Sequence, residues 1–164
     1  MPRRMILKRR RPHAFERDGD RTAIRLGEDE RSMLADLAGQ FRSVVSDDSD
    51  PDLKRLYPTA YPDDPQRDAD YSGLVHEDLV RTRVAAAETV VATANAVSLD
   101  SDQLTAWMQV LNGLRLLLGT RLDISEGDEF DPEAEDAPTL ALLSWLGFLL
   151  EEAVVAASSD LDDA

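Results

Sequence analysis

Two histidines, His13 and His76, are the side chains best suited to acid–base or metal chemistry near neutral pH, and they lie far apart in the chain. Neither has a second ligand at metal spacing. His76 is followed by Glu77 and Asp78, but adjacent residues on a helix point in different directions, so the trio does not make a site. Asp48, Asp50 and Asp52 imitate the first half of a calcium loop. Leu53 then stands where such a loop needs glycine, and Thr59 where it needs a bidentate glutamate, which leaves a flexible acidic turn. The 8 glycines form no phosphate-cradling or dinucleotide motif. With 33 acids in the chain, no carboxylate pair or Ser-His-Asp set stands out. The absence of cysteine excludes disulfides, thiolate metal sites and thiol redox switching within the chain. These observations point to a protein that is not an enzyme and needs no cofactor or metal.

Nucleic-acid contact depends on where the bases sit, because Lys and Arg contacts to phosphate dominate affinity. Arg3, Arg4, Lys8, Arg9, Arg10 and Arg11 put six bases and no acid into the first eleven residues. Thirteen acids and no base follow between Asp123 and the C-terminus. Of 18 bases and 33 acids in all, the body behind the arm keeps 12 bases, a net charge of -21. The arm is a candidate DNA contact, and six phosphate contacts imply a salt slope of about -5. The acidic body, however, repels a duplex over roughly a Debye length, ~8 to 10 Å. Anionic lipid, an acidic protein surface and the chain's own acidic loops are alternative targets for the same charge. The segment Ser98 to Gly119 superficially resembles the second half of a helix-turn-helix, yet between Asp100 and Gly119 its one base is Arg115. Trp107, Met108 and the neighbouring leucines read as core.

The most distinctive stretch runs from Leu56 to Pro65. Its prolines stiffen the chain, and Tyr57 and Tyr61 combine an apolar ring with a polar tip, a combination favoured at contact surfaces. Tyr57, Pro58, Tyr61 and Pro62 are therefore candidate partner-binding residues. The competing reading is that the two tyrosines pin a long crossover onto the helices.

The elements that must position these residues are mainly helical. A chain of 164 residues is about one domain long, and with only 9 aromatic residues its core must be built of Leu, Val and Ala. His13 to Leu26 alternates around Asp18-Gly19 and predicts a short β-hairpin. Met33, Leu34, Leu37, Phe41, Val44 and Val45 recur at helical spacing and predict a helix over about 28–46. Ser46 to Asp70, with four prolines and eight acids, reads as an irregular connection with one helical turn near Asp52 to Leu56. Helical period resumes at about Ser72. Asp100 and Gln103 have the spacing of a capping box that starts the next helix. The short Ser98 to Asp100 link makes these two helices antiparallel neighbours. Asp123 to Pro138 is an acidic loop.

The final helix, to about Ala157, is apolar around most of its circumference. It is expected to be the central helix or else to supply a homodimer interface through residues 139–157. Its strongest apolar run, Thr139 to Leu150, meets Glu151 and Glu152 after 12 residues. That is short of the ~20 a membrane span needs, and no membrane span is expected. Nor does the basic N-terminus carry an apolar signal core, which favours a cytoplasmic protein. The expected organisation is a basic arm (1–11), a single helical domain with an N-terminal hairpin (12–157) and a frayed acidic tail (158–164).

The run Tyr57 to Pro65, Glu77-Asp78-Leu79 with Arg81, Trp107, and Leu111-Asn112-Gly113-Leu114-Arg115 through Leu122 resemble an actinobacterial family that includes the oxidative-stress transcriptional regulator AosR. Arginines ahead of the hairpin and Trp145-Leu146 near the end extend the similarity over most of the chain. The resemblance implies a cytoplasmic transcriptional regulator that works through protein partners, the transcription machinery among them. Genes of the family often lie near that of the protease adaptor ClpS, which implies a structural or adaptor role in proteolysis as an alternative. A thiol-based sensing scheme is not open to a chain without cysteine. The resulting fold expectation is mainly α, a helical bundle of four to five helices with a short N-terminal β-hairpin.

Overall fold

The computed structural model describes residues 13–47, 50–57, 59–122, 133 and 135–162. The basic arm, Asp48, Pro58 and most of the acidic stretch after Asp123 lie outside the described residues, so the arm's predicted contacts do too. The described elements are β1 (Phe15–Asp18), β2 (Arg21–Ile24), α1 (Glu28–Asp47), a 3₁₀ turn (Pro51–Leu56), α2 (Pro65–Thr93), β3 (Ser98–Leu99), α3 (Ser101–Arg121) and α4 (Ala137–Asp162). This is the expected mainly α fold with an N-terminal hairpin.

The hairpin forms where the alternation placed it. Asp18 pairs with Arg21 and Phe15 with Ile24, leaving Gly19-Asp20 as a two-residue loop. Gly19 takes φ 64°, a left-handed conformation that glycine adopts without a Cβ penalty and that hairpin turns of this length require. The Ser98 to Asp100 link does more than join two helices: Thr22 pairs with Leu99 and Ala23 with Ser98. The hairpin thereby becomes a three-stranded antiparallel sheet in the order β1-β2-β3.

Two helix starts show how local chemistry sets boundaries. At α3 the Asp100 side chain accepts from Gln103 N at 2.8 Å while Gln103 Oε1 accepts from Asp100 N at 2.9 Å, the reciprocal capping box. α2 begins seven residues before the expected Ser72, because Asp64 Oδ1 accepts from Arg67 N at 3.1 Å and Pro65 occupies the first turn. A proline there loses no hydrogen bond and has its φ pre-set for the helix.

The central element is α3, which corrects the expectation that the last helix would be. α3 packs against α1, α2, α4, the 3₁₀ turn, β2 and β3, and buries Leu104, Trp107, Val110, Leu111, Leu114 and Leu117. Its Gly113 lets α1 approach closely: a Cβ there would lie 2.6 Å from Phe41 Cζ, and Phe41 is itself buried. α4 instead lies to one side, chiefly against α3 and β1. Leu146, Leu149, Ala153 and Ala156 form its inner stripe, while Phe148, Val154 and Val155 remain exposed. Its apolar circumference thus reflects composition rather than enclosure. α4 also passes Glu151 and Glu152 without a break and reaches Asp162, so residues 158–162 of the expected frayed tail are helical. By length and composition alone the 23 residues Ala137–Ser159 are enough to cross a membrane: an 18-residue window within them has mean hydropathy 1.8, and 22% of that window is buried in the fold.

A candidate groove at the tyrosine loop

The tyrosine loop and the first half of α2 enclose a groove. It has a volume of about 580 Å³, within the ~300 to 1,000 Å³ usual for ligand sites. Leu56, Tyr57, Thr59 and Ala60 supply one wall, and Tyr71, Val75, His76, Leu79 and Arg83 of α2 much of the other. The loop is folded onto α2 by Asp68, whose Oδ1 accepts from Ala60 N at 2.8 Å and Tyr61 N at 3.1 Å.

The four predicted partner-binding residues separate here. Tyr57 is half-buried and packs against the core. Its ring stands 4.5 Å from that of His76 and 4.9 Å from the Arg83 guanidinium. That environment favours the pinning role for Tyr57. Tyr61 sits farther out, with the Arg67 guanidinium 4.3 Å over its ring and Tyr71 edge-on at 5.8 Å. Pro62 is exposed in the turn that leads into α2, and Pro58 lies outside the described residues. Beyond the tyrosines, Tyr71 is 45% and Leu74 81% exposed. No residue of α2 before Ala86 is buried, so the first half of this helix presents an apolar face to its surroundings.

Other candidate residues are absorbed by structure. His13 Nδ1 lies 3.0 Å from Glu152 Oε2, tying the start of the hairpin to α4. Among the described residues no group of three or more His, Asp or Glu gathers at metal-holding distance. The acidic turn at Asp50 and Asp52 has an internal cation: Arg121 at the end of α3 reaches Asp50 Oδ2 at 2.7 Å and Asp52 Oδ2 at 3.4 Å. Asp50 also accepts from Asp52 N at 2.9 Å. That backbone bond, followed by the Arg121 hydrogen bond, holds the Asp50 carboxyl below its ordinary range. At Asp50 and Asp52 the turn is therefore tied to the end of α3. Such a pairing, between residues 71 apart, leaves no local pattern by which to find it. α3 itself is enclosed on several sides and carries its core on the positions a groove-reading helix would need to expose.

One residue in the groove had no sequence signal. Arg83 donates from Nη2 to Leu56 O at 2.6 Å, while its Nη1 is buried with no hydrogen-bond partner among the described residues.

A family model, that of a domain of unknown function, matches residues 12–157, nearly the whole chain. No curated protein and no solved structure matches.

Proposed function

From the premise that this chain belongs to the DUF2017 family, we propose that it is a non-enzymatic cytoplasmic regulator that acts on transcription through a protein partner. The observation that carries this reading is the uncovered first half of α2, where Tyr61, Tyr71 and Leu74 stand beside the proline-bounded loop. Aromatic and apolar side chains on an otherwise charged surface are the usual anchors of protein interfaces. The resemblance of Tyr57 to Pro65, Glu77 to Leu79 with Arg81, Trp107 and Leu111 to Leu122 to the family that includes the oxidative-stress regulator AosR supplies the transcriptional part of the proposal. The basic arm fits the same scheme by offering cationic residues to a partner's acidic surface, and the enclosure of α3 argues against reading a DNA groove directly. Capture from native lysate tests the idea. The wild-type protein is expected to retain RNA polymerase or a factor bound to it, and Tyr61→Ala with Leu74→Ser to reduce that recovery at least ten-fold with unchanged circular dichroism. Recovery of no transcription protein above background rejects the proposal.

A second reading concerns self-association, and the exposed outer face of α4 favours it. Phe148 at 40%, Val154 at 45% and Val155 at 61% exposure lie on a helix otherwise poor in charge, and a matching helix from a second copy would cover them. Light scattering is expected to give a dimer mass for the wild type and a monomer mass for Phe148→Glu with Val155→Glu. A monomeric wild type at ~100 μM removes this reading, since an interface with a micromolar dissociation constant would be filled there.

A further inference from the structure

We propose that the groove between the hairpin and α4 seats the chain's own Met5-Ile6-Leu7, with the bases on either side of that triplet drawn to carboxylates at the groove's edge. The groove has a volume of about 550 Å³, and Leu26, Trp145, Phe148 and Leu149 give it apolar walls. Phe148 is 40% exposed and Trp145 half-buried. Aromatic surface left to water in a concave site is where an apolar segment lands. The occupant follows from where the chain enters. Ala14 itself lines the groove, and His13 Nδ1, 3.0 Å from Glu152 Oε2, fixes the point of entry on α4. Glu152 lies on the same face of the helix as Trp145 and Phe148, seven and four residues further on. Residues 1–12, outside the described residues, are thus joined to the groove's rim. Leu7 is six residues from His13, a reach of up to about 20 Å. A tether that short gives an effective concentration on the order of millimolar, enough to fill a weak site.

Charge complements the apolar fit. Met5-Ile6-Leu7 is the one run of three apolar side chains in the first twelve residues, and it stands between Arg3-Arg4 and Lys8 to Arg11. Glu30 lines the groove, and the exposed Glu151 shares a neighbouring hollow with Phe148. Arg25, the base among the lining residues, already meets Glu16 at 2.6 Å. The charge left around the walls is therefore negative, opposite in sign to the arm. Exposed ion pairs contribute little each, so the triplet carries the contact and the bases orient it. The seat is separate from the α2 face of the transcriptional reading. It shares Phe148 with the self-association reading, and dilution tells the two apart.

Methyl NMR of the full-length protein, which has 4 methionines, tests the seat. The Met5 methyl group is expected to resonate upfield of its free-peptide position, through the ring currents of Trp145 and Phe148, and to show Overhauser contacts to their ring protons. Phe148→Ser should remove most of that shift. Because Phe148 also belongs to α4, a variant with Met5, Ile6 and Leu7 all changed to serine provides an independent check that leaves the folded body untouched: it should move the Trp145 indole resonance and leave that of Trp107 in place. Changing Lys8, Arg9, Arg10 and Arg11 together to glutamine should reduce the Met5 shift at least two-fold. A Met5 methyl group at its free-peptide position, a shift that survives Phe148→Ser, or a Trp145 resonance indifferent to the serine triplet overturns the seat. A Met5 shift that fades on dilution assigns the contact to a second copy and overturns docking within one chain. A glutamine variant with the full shift overturns the part given to charge.

Discussion

Replacing Arg31 by alanine is expected to destabilise the fold by about 3 to 4 kcal/mol, on the scale of hydrogen bonds made by charged groups. Arg31 stands in the first turn of α1, and its guanidinium gathers carbonyls from three places. Nε donates to Leu26 O at 2.9 Å, Nη2 to Ile24 O at 2.9 Å, and Nη1 to Ala94 O at 3.0 Å and Ala96 O at 2.7 Å. One side chain thus joins the end of the hairpin, the start of α1 and the end of α2. The last turn of α2 has no basic residue of its own, so Arg31 also supplies the cation that a helix C-terminus favours. Arg31→Lys should recover less than half the loss, because a compact ammonium with three donors cannot span these acceptors. Urea denaturation of the three proteins measures both effects. A loss below about 1 kcal/mol for alanine would show that water replaces the guanidinium freely.

The comparable effect in the core belongs to Trp107, whose replacement by alanine is expected to cost about 3 to 5 kcal/mol. Trp107 is fully buried, stacks edge-on with Phe15 at 5.8 Å, and donates from its indole nitrogen to Thr93 Oγ1 at 2.8 Å. The ring therefore fastens α3 to both the hairpin and the end of α2. Trp107→Phe keeps part of the volume but loses the hydrogen bond and should cost roughly half as much. Loss of near-ultraviolet dichroism at 37 °C in the alanine variant, with far-ultraviolet signal retained, would report the loosened core. Arg31 and Trp107 both secure residues 93–96, so their losses should not add. A double-mutant cycle that closes to zero would place them in separate units.

Much of this architecture was legible in local patterns. The Asp18-Gly19 turn, the helical spacing of six apolar residues in α1 and the Asp100–Gln103 box each act within a few residues of chain, and each formed where read. The start of α2 was also written locally, in Asp64-Pro65, but a proline after several others reads as loop until its neighbour is recognised as a cap. Position in the bundle was a different matter. Leu146 and Val155 are equally apolar, and nothing in their types shows that the first is covered and the second exposed. β3 is only two residues long, too short for alternation to register. At the candidate groove, Tyr57 and Tyr61 drew attention by composition. Arg83 did not, because its bond to Leu56 O spans 27 residues of chain and leaves no local pattern.

The pairing of Thr22 with Leu99 has a consequence for how the chain is made. β2 leaves the ribosome well before its partner strand, which follows 77 residues later, and the Glu152 that meets His13 lies 139 residues on. At about 5 to 20 residues per second, the hairpin waits on the order of 4 to 15 s for β3 and longer for α4. During that interval Phe15 has no Trp107 to cover it. Synthesis therefore leaves the β2 edge of the sheet unpaired until β3 arrives, and His13 without Glu152 until α4 does.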